Sequence, residues 1–252
     1  MRSTNKILAL ILSLVLAVSA FASCQIEDNQ TYQTETYAAN VQISFSSDNE
    51  AMQNAISAMQ TSSEIFVDGG DVKVLTRAEI GTTTVTDNYT YFGGNLYHEQ
   101  VVTAGELVST VLERTSLKDD NREQLLSDIG AGASITPLDF SIQDMDGDTD
   151  NCTYTCSRIT AKAKESLEKI YGASFAGYGT VALDNAEYVL VVENGRDEKS
   201  TLTCHFVITI GDATYNITME IVTDYDYDAS FSITVPANSS SYKQVLYSEM
   251  FD

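Results

Sequence analysis

The sequence predicts a domain of the α+β class, in which antiparallel strands are accompanied by two or three amphipathic helices. Three observations support this class. Apolar and polar residues alternate in several segments, two-residue glycine turns separate some of these segments, and other segments carry apolar residues at helical spacing. In addition, the 14 tyrosines and two prolines favour a β-rich domain, because tyrosine is enriched in strands.

The first 24 residues have the organisation of a secretory signal. Arg2 and Lys6 form a basic start, residues 7–22 are apolar, and small residues precede Cys24. A helix that spans a membrane needs about 20 apolar residues, which is more than this run contains. An uncleaved anchor helix and an ordinary secretory signal followed by a chance cysteine stay open as alternatives.

The cysteine directly after the small residues makes this segment resemble a bacterial lipoprotein signal. The resemblance implies that residues 1–23 are a signal peptide that is removed, and that acyl chains such as palmitate are attached to Cys24. Phe21 departs from the pattern, which usually has a leucine-type residue there. Two acyl chains hold a protein stably on a membrane. We therefore expect an extracytoplasmic protein held on the bacterial cell membrane by its lipid.

The formal net charge of −22 restricts the partners of the chain. It argues against nucleic acid and against adhesion to anionic lipid headgroups, which both need basic patches. After Cys24, residues 24–46 are expected to form a tether with a candidate first strand at Val41–Phe45. Residues 47–236 are expected to form a single domain and residues 237–252 a polar tail. The oligomeric state is left open.

Three helices are predicted within this domain. A capping box from Ser47 to Glu50 begins a helix over about residues 48–62, with apolar residues at helical spacing. Further helices are predicted over about residues 119–129 and over residues 160–171, where Gly172 is a natural C-cap.

The remaining segments predict strands and hairpins. Turns at Gly93-Gly94 and Asp146-Gly147 predict two hairpins, and further strands are predicted at residues 72–80 and 229–235. The clearest hairpin has its turn at Gly211-Asp212. That turn sets Phe206 opposite Ile217 and Cys204 opposite Met219, so every apolar residue from Leu202 to Ile221 meets an apolar partner.

No motif predicts a catalytic, metal or cofactor site. Four alternating aspartates resemble the start of a calcium loop: Asp144, Asp146, Asp148 and Asp150. An EF-hand also needs a glycine at position six and a glutamate at position twelve, and neither is present. The spacing therefore favours a solvated turn. Cys204 and His205 point to opposite faces of a strand and cannot act together. Cys152 and Cys156 would be about 13 Å apart on one strand, too far to bridge.

These three cysteines are expected to be buried thiols, with at most one disulfide, from Cys204 to one of the other two. His98, placed opposite Tyr89 by the Gly93-Gly94 turn, is expected to be a strand histidine with its hydrogen bonds satisfied.

The order of these elements resembles the LolA/LppX-like lipoproteins. The layout runs from a lipidated cysteine through a tether, one helix and an antiparallel meander to a strand that ends in Ile233–Pro236. The resemblance implies a curved antiparallel sheet, or half-barrel, with two or three helices covering one face. It also implies non-enzymatic binding of a lipid or other apolar ligand between the sheet and the helices.

Two other functions compete with ligand binding as interpretations of this sequence. One is a cell-envelope interaction module that binds a protein or glycan through a tyrosine-rich surface, in which Tyr225 and Tyr227, between aspartates, are expected to be exposed. The other is a hydrolase or thiol enzyme, which is disfavoured because the sequence has no nucleophile elbow, phosphate loop or HExxH motif.

Overall fold

The computed structural model describes residues 36–57, 59–117, 135–175 and 179–251. Most of these residues form β-structure. Twelve strands follow one another along the chain: β1 (Thr36–Ser47), β2 (Met59–Asp68), β3 (Asp71–Ile80), β4 (Thr83–Phe92), β5 (Asn95–Ala104), β6 (Leu107–Ser116), β7 (Phe140–Gly147), β8 (Cys152–Ile159), β9 (Thr180–Glu193), β10 (Arg196–Ile210), β11 (Ala213–Asp226) and β12 (Lys243–Gln244).

The helices of the described residues are short. They are α1 (Glu50–Ile56), α2 (Ala161–Phe175) and α3 (Tyr247–Phe251), with 3-10 turns at Pro137–Asp139 and Ser239–Ser241. Among these residues, no helix has the length and apolar character that crossing a membrane requires.

The twelve strands are hydrogen-bonded in one sheet, in the order β12-β6-β5-β4-β3-β2-β1-β11-β10-β9-β8-β7. The predicted α+β class, with a half-barrel whose face is covered by helices, is therefore wrong. The described part of the chain is largely all-β, because twelve strands make up most of it and its three helices have only 7, 15 and 5 residues.

The predicted helix over residues 48–62 shows the reason. Helix α1 begins after Asn49, whose side chain accepts a hydrogen bond from the Met52 backbone N–H, but it ends at Ile56. Strand β2 follows from Met59. Its buried face includes two small polar residues, Thr61 and Ser63, so the alternation typical of a strand is hidden in the sequence.

The chain divides into two compact units. The first comprises Gln42–Thr61 and Ile135–Asp224. Its β10–β11 hairpin has the predicted register, with Phe206 opposite Ile217 and Cys204 opposite Met219. The predicted helix over residues 160–171 is also confirmed, although α2 continues through Gly172 to Phe175. The Glu168 carboxylate of α2 accepts a hydrogen bond from the Leu183 backbone N–H at 2.9 Å, which ties α2 to β9.

The second unit comprises, within the described residues, 36–41, 62–117 and 225–251. Strands β3 to β6 form an antiparallel meander in this unit. The hairpin predicted at Gly93-Gly94 is confirmed, and it sets Tyr89 opposite His98. The predicted helix over residues 119–129 lies outside the described residues.

The strand predicted at residues 229–235 is absent from the structure. Phe231 packs on Phe66 of β2 with the ring centres 5.2 Å apart, and Ile233 is buried. The segment therefore contributes side chains to the packing without joining the hydrogen-bonded ladder, a distinction that alternation alone does not reveal.

Residues 242–251 pack on the β6 edge of this meander. Strand β12 pairs in parallel with Glu113 and Arg114, and Lys243 lies 3.7 Å from the Glu113 carboxylate. Tyr242 packs edge-on against Tyr97. Burial raises the pKa of Tyr242, and so do the charge of Glu99 and a hydrogen bond to it. This C-terminal segment brings α3 close to the sheet.

Candidate functional site

A buried polar cluster lies on strands β4 and β5 of the second unit. Nε2 of His98 is 2.9 Å from Oδ1 of Asp87, and the side chains are only 9% and 10% exposed. The Gln100 side-chain amide donates a hydrogen bond to the same Asp87 oxygen at 3.0 Å. With the proton on Nε2, His98 donates to Asp87 and leaves its other ring nitrogen free to accept a hydrogen bond.

That other ring nitrogen has no partner. Nδ1 of His98 is buried and makes no hydrogen bond within the described structure. A buried polar atom without a partner costs about 1–3 kcal/mol relative to one that is hydrogen-bonded. The cluster therefore has one buried hydrogen-bonding position, Nδ1 of His98, that no described residue uses.

Aromatic rings border the cluster on one side. The Tyr89 ring stacks on His98, with the centres 4.3 Å apart and the planes within 4°. Phe251 of α3 lies beyond Tyr89, with the ring centres 6.0 Å apart, and Tyr247 packs on Phe251. The stack draws side chains from β4, β5 and the C-terminal helix, so the C-terminus is part of the site.

Aliphatic residues border the other side. The strand register places Val85 opposite Val102, and Gln100 opposite Val111, all on the face that carries His98. We call this face the β4–β6 surface; it comprises Val85, Asp87, Tyr89, His98, Gln100, Val102, Val111 and Glu113. It combines apolar side chains with one hydrogen-bonding position, which is the usual composition of a small-molecule site.

The arrangement differs from that of a catalytic triad. A triad needs a hydroxyl or thiol hydrogen-bonded to the histidine nitrogen that faces away from the carboxylate. Here that nitrogen has no partner, and the nearby hydroxyls of Ser63 and Thr76 bond to each other at 2.9 Å. Within the described residues, the cluster has the groups to hold a ligand and lacks a nucleophile positioned on His98.

The sequence-predicted thiols lie elsewhere. Cys152, Cys156 and Cys204 are buried and free, which confirms the prediction of buried thiols. Burial raises the pKa of Cys204 to about 12 and also raises that of Cys156. His205 points away from Cys204, as parity predicts, and its Nδ1 lies 3.1 Å from the Thr218 hydroxyl. Cys24, the predicted lipid attachment site, lies outside the described residues.

Two of the alternating aspartates, Asp148 and Asp150, lie in the exposed β7–β8 turn over residues 148–151, two residues further along the chain than the predicted turn at Asp146-Gly147. Asp148 accepts hydrogen bonds from the backbone N–H groups of Asp150 and Asn151, which stabilises the turn locally. Asp144 and Asp146 are exposed on β7. In the part of the chain that the structure describes, no group of acidic, histidine or cysteine side chains is arranged to hold a metal ion.

The expected exposure of Tyr225 is wrong. Strand β11 continues to Asp226, and Tyr225 falls on its buried face together with Ile221 and Thr223. Its ring centre is 6.4 Å from that of Tyr37, and Tyr227, which is half-buried, is 5.6 Å from the same ring. The buried Tyr225 therefore gives no support to the interpretation that a tyrosine-rich surface binds a protein or glycan.

Sequence reasoning placed His98 correctly opposite Tyr89 but missed Asp87. The available signal was parity, because Asp87 lies two residues before Tyr89 and therefore shares its face. The expectation of a fully satisfied His98 is met at Nε2 and fails at Nδ1.

Comparisons with protein-family models and with curated proteins give no match. Among solved structures, the chain is similar to the ywiB protein from Bacillus subtilis, with a TM-score of 0.20 and 10% identity over 76% of this chain and 92% of that one. It is also similar to two structures of the CurJ dehydratase of curacin polyketide synthase, one of them an inactive mutant. For both, the TM-score is 0.13, the identities are 8% and 9%, and the coverage is 87% of this chain and 82% of that one. Similarities this low support no statement about function.

Proposed function

We propose that this chain is an extracytoplasmic lipoprotein, anchored through Cys24, that binds an apolar ligand without catalysing a reaction. The ligand would lie on the β4–β6 surface and carry one group that hydrogen-bonds to Nδ1 of His98. The observation that carries the proposal is this buried ring nitrogen, which has no partner in the described structure.

The chemistry of the surface favours such a ligand. Phe251 offers an aromatic ring at the end of the stack on one side of His98, and Val102 and Val111 offer aliphatic side chains on the other. Burial of apolar surface contributes about 25 cal/mol per Å², and the hydrogen bond to Nδ1 would orient the ligand. The cluster supplies one polar anchor within an apolar setting.

The proposal moves the ligand away from the helices, where the LolA/LppX resemblance would put it. The apolar side chains of α1 and α2 that face the sheet are already buried in the core; they are Met52, Ile56, Ala163 and Leu167.

The test uses residues 25–252, which lack the predicted signal and the lipid-bearing cysteine. The protein is purified without detergent, extracted with organic solvent, and the extract is analysed by mass spectrometry. We expect a co-purified apolar molecule in the unchanged protein and its loss in His98→Phe, which keeps a ring beside Tyr89 but removes both nitrogens.

His205→Phe is the matched control, because it changes the other histidine of the chain in the same way. It should retain the ligand, and circular dichroism should show that both variants are folded. An unchanged protein without bound molecules, or a folded His98→Phe variant that retains them fully, would contradict the proposal.

A further inference from the structure

Among the residues that the structure describes, none pairs with the outer edge of strand β6 between Leu107 and Leu112. One edge pairs with β5 from Leu107 to Ser116, whereas β12 covers the other edge only at Glu113 and Arg114. The Arg114 carbonyl accepts a hydrogen bond from the Val245 backbone N–H at 2.9 Å, so it points away from β5. Because backbone groups alternate along a strand, those of Val108, Thr110 and Leu112 also point to this edge.

The free part of the edge is apolar and carries no charge. Residues 107–112 read LVSTVL, and the side chains of Leu107, Val108 and Val111 are 77%, 66% and 37% exposed. Proteins usually protect such an edge with charged residues, proline or a bulge. Edge strand β7 follows that rule, because it carries Asp144 and Asp146, whereas residues 107–112 of β6 carry no charge. Within the described part of the chain, this stretch of the β6 edge is therefore open to strand pairing.

The sequence of this edge is close to symmetric about Ser109. In an antiparallel pair, residues that point their backbone groups to the shared edge must face each other, so Val108 faces an even-numbered residue of the partner strand. Centring the pair on Ser109 satisfies this requirement. It sets Leu107 opposite Val111 and Val108 opposite Thr110, so that aliphatic and β-branched side chains meet on both faces.

We propose that two copies of this chain associate through their β6 edges, with a two-fold axis at Ser109. A second copy fits this edge because both the backbone groups and the side chains of residues 107–111 match those of the same residues in another copy. Such self-complementarity is what an isologous interface requires. The β4–β6 surfaces of the two copies then lie on the same side of the joined strands. The association is independent of ligand binding.

The size and charge of this interface predict a weak dimer. Stable complexes bury about 1,200–2,000 Å², and one short strand pair buries less. Each copy carries a formal charge of −22, so repulsion opposes the association and salt should strengthen it. A covalent trap is therefore the appropriate test.

The test introduces one cysteine on the β6 edge of the full chain. Each variant is expressed in bacteria and oxidised with copper phenanthroline. In the proposed register two Ser109 residues form a non-hydrogen-bonded pair with Cα atoms about 4.5 Å apart, within the range of a disulfide. Two Thr110 residues would be more than about 7 Å apart. We expect a disulfide-linked homodimer from Ser109→Cys and its loss in the matched control Thr110→Cys.

A charge-pair experiment tests the register independently. In the Ser109→Cys background, Leu107→Lys with Val111→Lys places like charges opposite each other, whereas Leu107→Lys with Val111→Glu places opposite charges there. All three positions are exposed, so both variants should fold. We expect the Lys–Lys variant to lose the dimer and the Lys–Glu variant to retain it.

Three outcomes would overturn the proposal. Thr110→Cys could trap as much homodimer as Ser109→Cys, the two charge variants could trap equally, or Ser109→Cys could link to a different protein without forming a homodimer. The last result would assign the edge to another partner. None of these outcomes bears on the ligand extraction described above.

Discussion

Nε2 of His98 lies 2.9 Å from Oδ1 of Asp87, in a buried pair that joins β4 to β5. Gln100 adds a second hydrogen bond to the same oxygen. Within the described residues, Asp87 and Nε2 of His98 have hydrogen-bond partners, whereas Nδ1 of His98 has none. The bonded pair therefore has a structural role, and the proposed ligand would bind at Nδ1.

The structural role predicts that loss of the Asp87 carboxylate destabilises the fold. Asp87→Ala leaves the buried Nε2 of His98 and the Gln100 amide without their acceptor, which should lower the free energy of unfolding by about 1–3 kcal/mol. Asp87→Asn keeps one acceptor oxygen and should lose less. Urea denaturation measures both. Asp212→Ala, in an exposed turn, is the control, and an equal effect there would contradict the assignment.

Cys204 predicts a pH dependence of stability. Burial raises the pKa of this thiol to about 12, above the ordinary value of 9.0, so the folded protein holds the proton more tightly than the unfolded chain. Its contribution to stability is fully present below pH 9 and is lost as the pH rises to about 12. Unfolding free energies of the unchanged protein and Cys204→Ala, measured from pH 8 upward, should converge over that window.

The same burial predicts slow chemical labelling of Cys204. Iodoacetamide reacts with the thiolate, which is scarce and enclosed in the folded protein, since the side chain is 0% exposed. Labelling should become fast only in denaturant. Rapid labelling of Cys204 in folded protein would contradict the burial and would revive a thiol enzyme as a candidate.

Gly147 predicts a local requirement for glycine. Its φ is +117°, and a Cβ atom there would overlap the backbone of Asn151 and lie 2.9 Å from Cα of Cys152. Gly147→Ala should therefore destabilise the β7–β8 hairpin, by about 1–3 kcal/mol in thermal or urea unfolding. Gly70→Ala is the control, because a Cβ atom at Gly70 would meet nothing within 4 Å. Equal stabilities would refute the strain at Gly147.

The lipid anchor predicts labelling at one cysteine. In cells given a radioactive or alkyne-bearing palmitate, the full chain should incorporate the label and partition with membranes. Cys24→Ser should abolish both, since the acyl chains have no other proposed attachment site. Cys152→Ser should retain both, because that thiol is buried. Label in Cys24→Ser would place the acyl chains at another residue, and an unlabelled unchanged chain would leave an ordinary secretory signal or an uncleaved helix.

The hairpins show how much of the fold could be predicted. The register from Leu202 to Ile221 followed from a two-residue turn and strict alternation, because both act over a few residues. Strand β2 was missed, because Thr61 and Ser63 on its buried face look solvent-facing in the sequence. For the site, parity could pair His98 with Tyr89, but it did not indicate that Asp87 would be buried beside them.

The sequence by itself determined the acidic charge, the parity of the cysteines and the hairpin turns at Gly93-Gly94 and Gly211-Asp212, all of which depend on the chain itself or on neighbouring residues. Only the tertiary structure decided the twelve-strand order, the burial of Tyr225 and the open nitrogen of His98. The physical reason is that alternation tells which side chains share a face, whereas burial depends on what packs against that face.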